Sequence, residues 1–117
     1  MDNNLYQKAY AFALRIIKMH RFLRDDKHEY ILSKQVLRCG TAIGANIAEA
    51  NGAISKNDFS SKISISYKEC LETKYWLSLL KDSCIISDDH FSSMHKDADE
   101  LAKILYTILQ KSRPRTY

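Results

Sequence analysis

Leu5, Ala9, Phe12, Ile16, Met19 and Leu23 recur at alternating steps of four and three, which draws one apolar stripe down an α-helix. Tyr6, Tyr10, Ala13 and Ile17 form a second stripe beside it, so the face is wide enough to touch two neighbours. The pattern predicts a first helix over residues 4–23, about 30 Å long at roughly 1.5 Å per residue. The polar run Arg24-Asp25-Asp26-Lys27-His28 then reads as a short connection.

The period resumes with Leu32, Val36, Cys39, Ile43 and Ile47 in a second helix, predicted over 29–51. Its second half, Gly40 to Ala50, is rich in small residues. An interior glycine costs a helix about 1 kcal/mol relative to alanine, so Gly40 and Gly44 imply a compensating close approach by a neighbouring helix. Their G-x-x-x-G spacing is a membrane dimer motif only in an apolar segment, and Arg38, Asn46 and Glu49 exclude that setting. Asn51-Gly52 supplies a stop, and Ser55 with Asp58 a capping-box-like start for a third helix over 56–84. Its stripe is Phe59, Ile63, Ser66, Cys70, Thr73, Leu77, Leu80 and Cys84, widened by Tyr67, Leu71 and Trp76. Ser87-Asp88-Asp89 opens a fourth helix over 89–112, striped by Phe91, Met94, Ala98, Leu101, Leu105 and Ile108 and closed by Pro114.

Connections this short place consecutive helices side by side and antiparallel, so the expected fold is all-α, a single up-down-up-down four-helix-bundle domain over 1–117. A content of 45% hydrophobic and 27% charged residues with only 3 Gly and 1 Pro agrees with long helices rather than a turn-rich β architecture. No apolar run approaches the roughly 20 residues that span a bilayer, and Met1-Asp2-Asn3-Asn4 does not begin like a signal peptide. The expectation is a cytoplasmic protein with no membrane partner.

Few residue groups suggest chemistry. Cys39, Cys70 and Cys84 form no C-x-x-C pair and fall at apolar helix positions, which points to buried packing roles. The Glu-x-x-His pattern of di-iron bundles is missing, because His20, His28, His90 and His95 lie away from Glu49, Glu69 and Glu72 in the sequence. Those glutamates read as structural partners of Arg38, Lys68 or backbone donors. With no nucleophile, base and orienting group identifiable, the expectation is a non-enzyme with no cofactor, no metal and no small-molecule substrate. Arg38 and Glu49 are eleven residues apart, close to three helical turns, so they share a face with Ala42 and Ala45 between them. Gln35 and Asn46 add amides nearby, and the row reads as a helix contact, within the chain or between subunits.

Net charge is +4, with a sequence pI near 9.0. Lys8, Arg15, Lys18, Arg21 and Arg24 lie on the first helix with no acidic residue between positions 3 and 24, and Lys111, Arg113 and Arg115 add charge at the other end. Such a cluster can neutralise phosphates, with steeply salt-dependent binding, although a basic run on a helix is more often a solvated face.

At Gln35, Arg38, Gly40 to Ala50 and Ser55-Lys56-Asn57-Asp58-Phe59, and on through Lys68-Glu69, Glu72 and Tyr75-Trp76-Leu77, the sequence resembles the 23S rRNA-intervening-sequence protein family, also called four helix bundle proteins. The most specific part is Gly44-Ala45-Asn46-Ile47-Ala48-Glu49-Ala50, with alanine at position 42 where the family usually carries serine. The resemblance implies a bacterial up-and-down bundle that forms a ring-shaped homopentamer, and, by a related subgroup, a basic barrel that engages nucleic acid. Two readings follow: a non-enzymatic homo-oligomer that binds RNA or DNA, or a structural, protein-interaction module whose tyrosines and Trp76 dock another protein.

Overall fold

A computed structural model describes residues 3–112 of the chain. Among these residues four helices follow in order, α1 (Asn3–Asp25), α2 (Ile31–Asn51), α3 (Lys56–Asp82) and α4 (Asp88–Ser112), with no strand. Arg113, Pro114 and Arg115 lie outside the described residues.

The periodic stripes become the core. Leu5, Ala9, Phe12, Ile16, Met19 and Leu23 of α1 are all buried, as are Ile63, Ser66, Cys70, Thr73, Leu77 and Leu80 of α3. On α4, Ala102 and Leu109 join Met94, Ala98, Leu101 and Leu105, because the helix turns toward both α1 and α3. On α2, Ser33 takes the buried place at the first turn while Leu32 is half-buried. Each fully buried Leu, Ile or Phe contributes about 1.5–3 kcal/mol, and the buried apolar side chains form one cluster.

Each helix packs against two others, α1 and α3 both lying between α2 and α4, while the diagonal pairs do not meet. Between α1 and α2, Ala9 faces Gly44, Ile16 faces Gly40, and His20 Nδ1 lies 3.1 Å from the Ser33 carbonyl. Between α2 and α3, the buried Ser66 hydroxyl donates to the Ile43 carbonyl at 2.8 Å, with Arg38 at Glu69 and Glu72 on one side and Glu49 at Lys62 on the other. Between α3 and α4, Tyr67 meets Tyr106, Lys74 meets Asp99, and Lys81 lies over Phe91. Between α1 and α4 the pairs are Lys8 with Glu100 and Arg15 with Asp97. Along every seam the partner's number falls as the first rises.

The helix ends correct several expected boundaries. α1 runs on to Asp25, and the chain then turns through His28, whose φ is 54°. α2 starts at Ile31 rather than at Glu29, because the Glu29 carboxylate accepts from the amide of Leu32 at 2.8 Å and so caps the helix from outside. α3 stops at Asp82. There Cys84 adopts φ 63°, and the amides of Cys84 and Ile85 donate back to the carbonyls of Lys81 and Leu80, both at 2.9 Å. This is a Schellman closure, usually built on glycine. It leaves Cys84 exposed, not buried in a helix as its place in the heptad pattern suggests. Gly52, by contrast, ends α2 at φ −100°, so its glycine freedom is not used there. The expected cap at Ser55 is present, its hydroxyl accepting from the Asp58 amide at 3.0 Å, and Ser87 does the same for His90 at 3.1 Å.

Candidate functional site

The five basic residues of α1 divide into two sets. Lys8 and Arg15 point along the α4 seam, where Glu100 and Asp97 neutralise them, and Arg15 also donates to the Ser93 hydroxyl at 2.6 Å. Arg24 pairs with its neighbour Asp25 at 2.7 Å. Lys18 and Arg21 are exposed and form no ion pair among the described residues. Arg21 senses Asp25 only through space. Two cations are therefore left unmatched, on consecutive turns toward the C-terminal end of α1.

Lys18 borders an open groove of about 350 Å³ between α1 and α4, shared with Arg15, Met19, Phe22, His90 and Met94. Met19 and Met94 are buried and form its floor, while Phe22 and His90 are half-buried at its wall. The two rings meet edge to face at 5.5 Å, and Lys27 Nζ lies 5.7 Å from the Phe22 centroid. Burial, with the Arg15 charge added, pushes the His90 pKa down from its ordinary value, so the imidazole is neutral at neutral pH. Phe22 is marked in the sequence only by its place beside Arg21. His90 is remote in the sequence and enters the groove through the α1–α4 packing alone.

The second polar group lies on the α2–α3 seam. Arg38 bridges Glu69, at 3.3 Å, and Glu72, which also accepts from the Trp76 indole at 3.1 Å. That indole donor first, and Arg38 after it, hold the Glu72 carboxyl below its ordinary pKa. Glu49 is not part of this group. It pairs with Lys62 at 2.8 Å, and Lys62 precedes Glu69 by seven residues, about 10 Å along a helix. Asn46 donates to the Ala42 carbonyl of its own helix at 2.8 Å, and Gln35 is half-buried on the same side of α2. Among the described residues no three His, Cys, Asp or Glu side chains gather as a metal site. Burial raises the thiols of Cys39 and Cys70 to about 11 and about 12, so neither is a thiolate at neutral pH. A groove of about 810 Å³ sits at the α2–α3 turn between Ile54, Phe59 and Lys111.

A family model described as 23S rRNA-intervening sequence protein matches residues 1–107. The chain belongs to that family. The match runs beyond the stretch whose residues carry the resemblance. A crystal structure of a protein of unknown function, from the S23 ribosomal protein family of Bacteroides thetaiotaomicron VPI-5482, superposes with a TM-score of 0.92 at 42% identity, covering 93% of this chain and 97% of that one. No curated protein matches the chain. The chain thus shares its all-helical fold with a protein whose function is unknown. Among the described residues no helix is long and apolar enough to cross a membrane.

Proposed function

We propose that this chain is a non-enzymatic, cytoplasmic protein with an antiparallel up-down-up-down bundle, which assembles as a homopentamer and binds RNA or DNA through the basic residues its fold leaves unmatched. The falling partner numbers along each seam support the topology. What carries the assembly is a pair of apolar stripes left in the open. Tyr6, Tyr10 and Leu14 run along α1, and Leu71, Tyr75 and Leu79 run along α3. The two helices do not touch each other. Two different patches on opposite helices suit a head-to-tail contact, which closes into a ring, rather than a two-fold dimer. Beside the first stripe, the outer face of α2 is lined by Thr41, Ala45 and Ala48, small enough to admit aromatic side chains from a neighbour. Each copy contributes a net +4, so a ring concentrates positive charge without any base-specific contact.

The nucleic-acid half of this reading is tested by titrating a structured RNA at two salt concentrations. Binding should weaken steeply with salt, and Lys18→Glu with Arg21→Glu should abolish it at low salt. Affinity at low salt no better than that of a neutral bundle ends it. A protein-docking scaffold is the second reading. It is favoured by the acidic partners of Lys8, Arg15 and Arg24, which withdraw three of the five α1 cations from any phosphate.

A further inference from the structure

Lys18 and Arg21 are not isolated charges on a smooth helix. Lys18 stands at the rim of the α1–α4 groove, and Phe22, one residue after Arg21, presents its ring inside it. We propose that this groove takes one nucleotide of a single-stranded nucleic acid, the base against Phe22 and the phosphate on Lys18 and Arg21. The proposal rests on the nucleic-acid reading above and adds to it the strandedness of the ligand and the residue that senses it.

Three observations converge on that occupant. The groove is about 350 Å³, near the lower end of the roughly 300–1,000 Å³ of small-ligand pockets, which suits one base and its sugar. Its composition is matched to a flat anion-bearing group: an aromatic wall of Phe22 and His90, a floor of Met19 and Met94, and the α1 cations Arg15 and Lys18 in the lining. Two neighbouring carboxylates are already engaged, Asp97 by Arg15 and Asp25 by Arg24, while Asp26 and Asp89 are exposed. Finally, Lys27 lies over the Phe22 ring. Lys27 is exposed and sits in the α1–α2 turn, so its ammonium can move from the ring onto a phosphate as a base slides in. His90, in T-shaped contact with that ring, lines the same groove and carries the polar ring nitrogens of its wall.

A duplex keeps its bases stacked within the helix, out of reach of a ring recessed in a groove, whereas an unpaired base has a free face for stacking on any aromatic side chain. Sequence tolerance follows, because every base has such a face.

The test compares a fluorescein-labelled single-stranded oligoribonucleotide with the blunt duplex of the same sequence, by anisotropy at low salt. Phe22 rests against the core, so Phe22→Leu keeps apolar packing, Phe22→Tyr keeps the ring, and the unfolding midpoint of each variant monitors the fold. The wild type should bind the single strand more tightly than the duplex. Phe22→Leu should weaken single-strand binding about tenfold and leave duplex binding unchanged, with Phe22→Tyr restoring the preference. If Phe22→Leu, folded as stably as the wild type, keeps the preference while Lys18→Glu with Arg21→Glu loses both ligands, the groove proposal falls and the basic-surface reading stands. If the wild type binds neither ligand, both fall.

Discussion

Gly40 and Gly44 are four residues apart on α2 and both face α1, yet they do different work. A Cβ added at Gly40 would lie 2.6 Å from Cγ1 of Ile16, a side chain fully buried in the core with nowhere to retreat. At Gly44 the same atom would lie 3.5 Å from the Ala9 Cβ, an ordinary van der Waals contact. Gly40→Ala should therefore destabilise the bundle by about 1–3 kcal/mol through overpacking, more than the helix gains from alanine. Gly44→Ala should be neutral or stabilise it by up to about 1 kcal/mol. Urea unfolding of the two variants separates them, and equal effects would mean that Ile16 does not seat on Gly40. A glycine's cost to a helix is visible in sequence, but the neighbour that justifies it is not. Cys84 makes the same point in reverse: its heptad position suggests burial, and the Schellman turn puts it outside.

At the scale of the element, the helices are joined by polar contacts whose character differs from seam to seam. The α1–α4 seam is the least extensive of the four and is bordered by two ion pairs across exposed side chains, which solvent screens so that they add little stability. On the α3–α4 seam, Asp99 accepts from Lys74 at 2.8 Å and from Lys103 at 3.0 Å. These donors, Lys74 foremost, bring its pKa from 3.8 to about 2. A depressed carboxylate pKa adds stability that is complete above the unfolded value and is lost as pH falls through the folded one. The Asp99 contribution should thus disappear between about pH 4 and pH 2. Solvent reaches about a third of the side chain, so at neutral pH Asp99→Asn should cost no more than about 1 kcal/mol. The wild type and Asp99→Asn should converge in thermal unfolding near pH 2, and a constant gap down to that pH would show that Asp99 is not ionised by Lys74. Apart from the Asp99–Lys103 pair, which lies one turn apart within α4, none of these pairings could be read from charge spacing within single helices, because each joins residues far apart in the chain.

The whole molecule, 46 × 28 × 22 Å, buries one stripe of each helix and exposes a second on α1 and on α3. Of the second α1 stripe expected from the sequence, Tyr6 and Tyr10 are exposed while Ala13 and Ile17 are half-buried, and Leu14 joins the tyrosines in the open; which stripe meets the core depends on where the neighbours stand. Tyr10 and Tyr75 are 57% and 58% exposed, so glutamate at either position touches little within the chain. Tyr10→Glu and Tyr75→Glu should leave the unfolding of the bundle within about 0.5 kcal/mol of the wild type and should convert a sedimenting oligomer to monomer. A wild type that sediments as a monomer at all concentrations removes the assembly reading, and with it the ring that concentrates the basic charge.

Hydrophobic spacing at three and four residues was sufficient for the number of helices, their approximate limits and nearly all of the core, because amphipathic period is a local property of the chain. The capping serines and the need for a close approach at Gly40 were legible for the same reason. Tertiary packing decided which α1 cations keep a free charge, which glutamates meet Arg38, and that Phe22 and His90 share a groove. Those outcomes depend on distances between helices, and an ion pair or a ring contact forms only where the packing brings remote residues within a few ångströms.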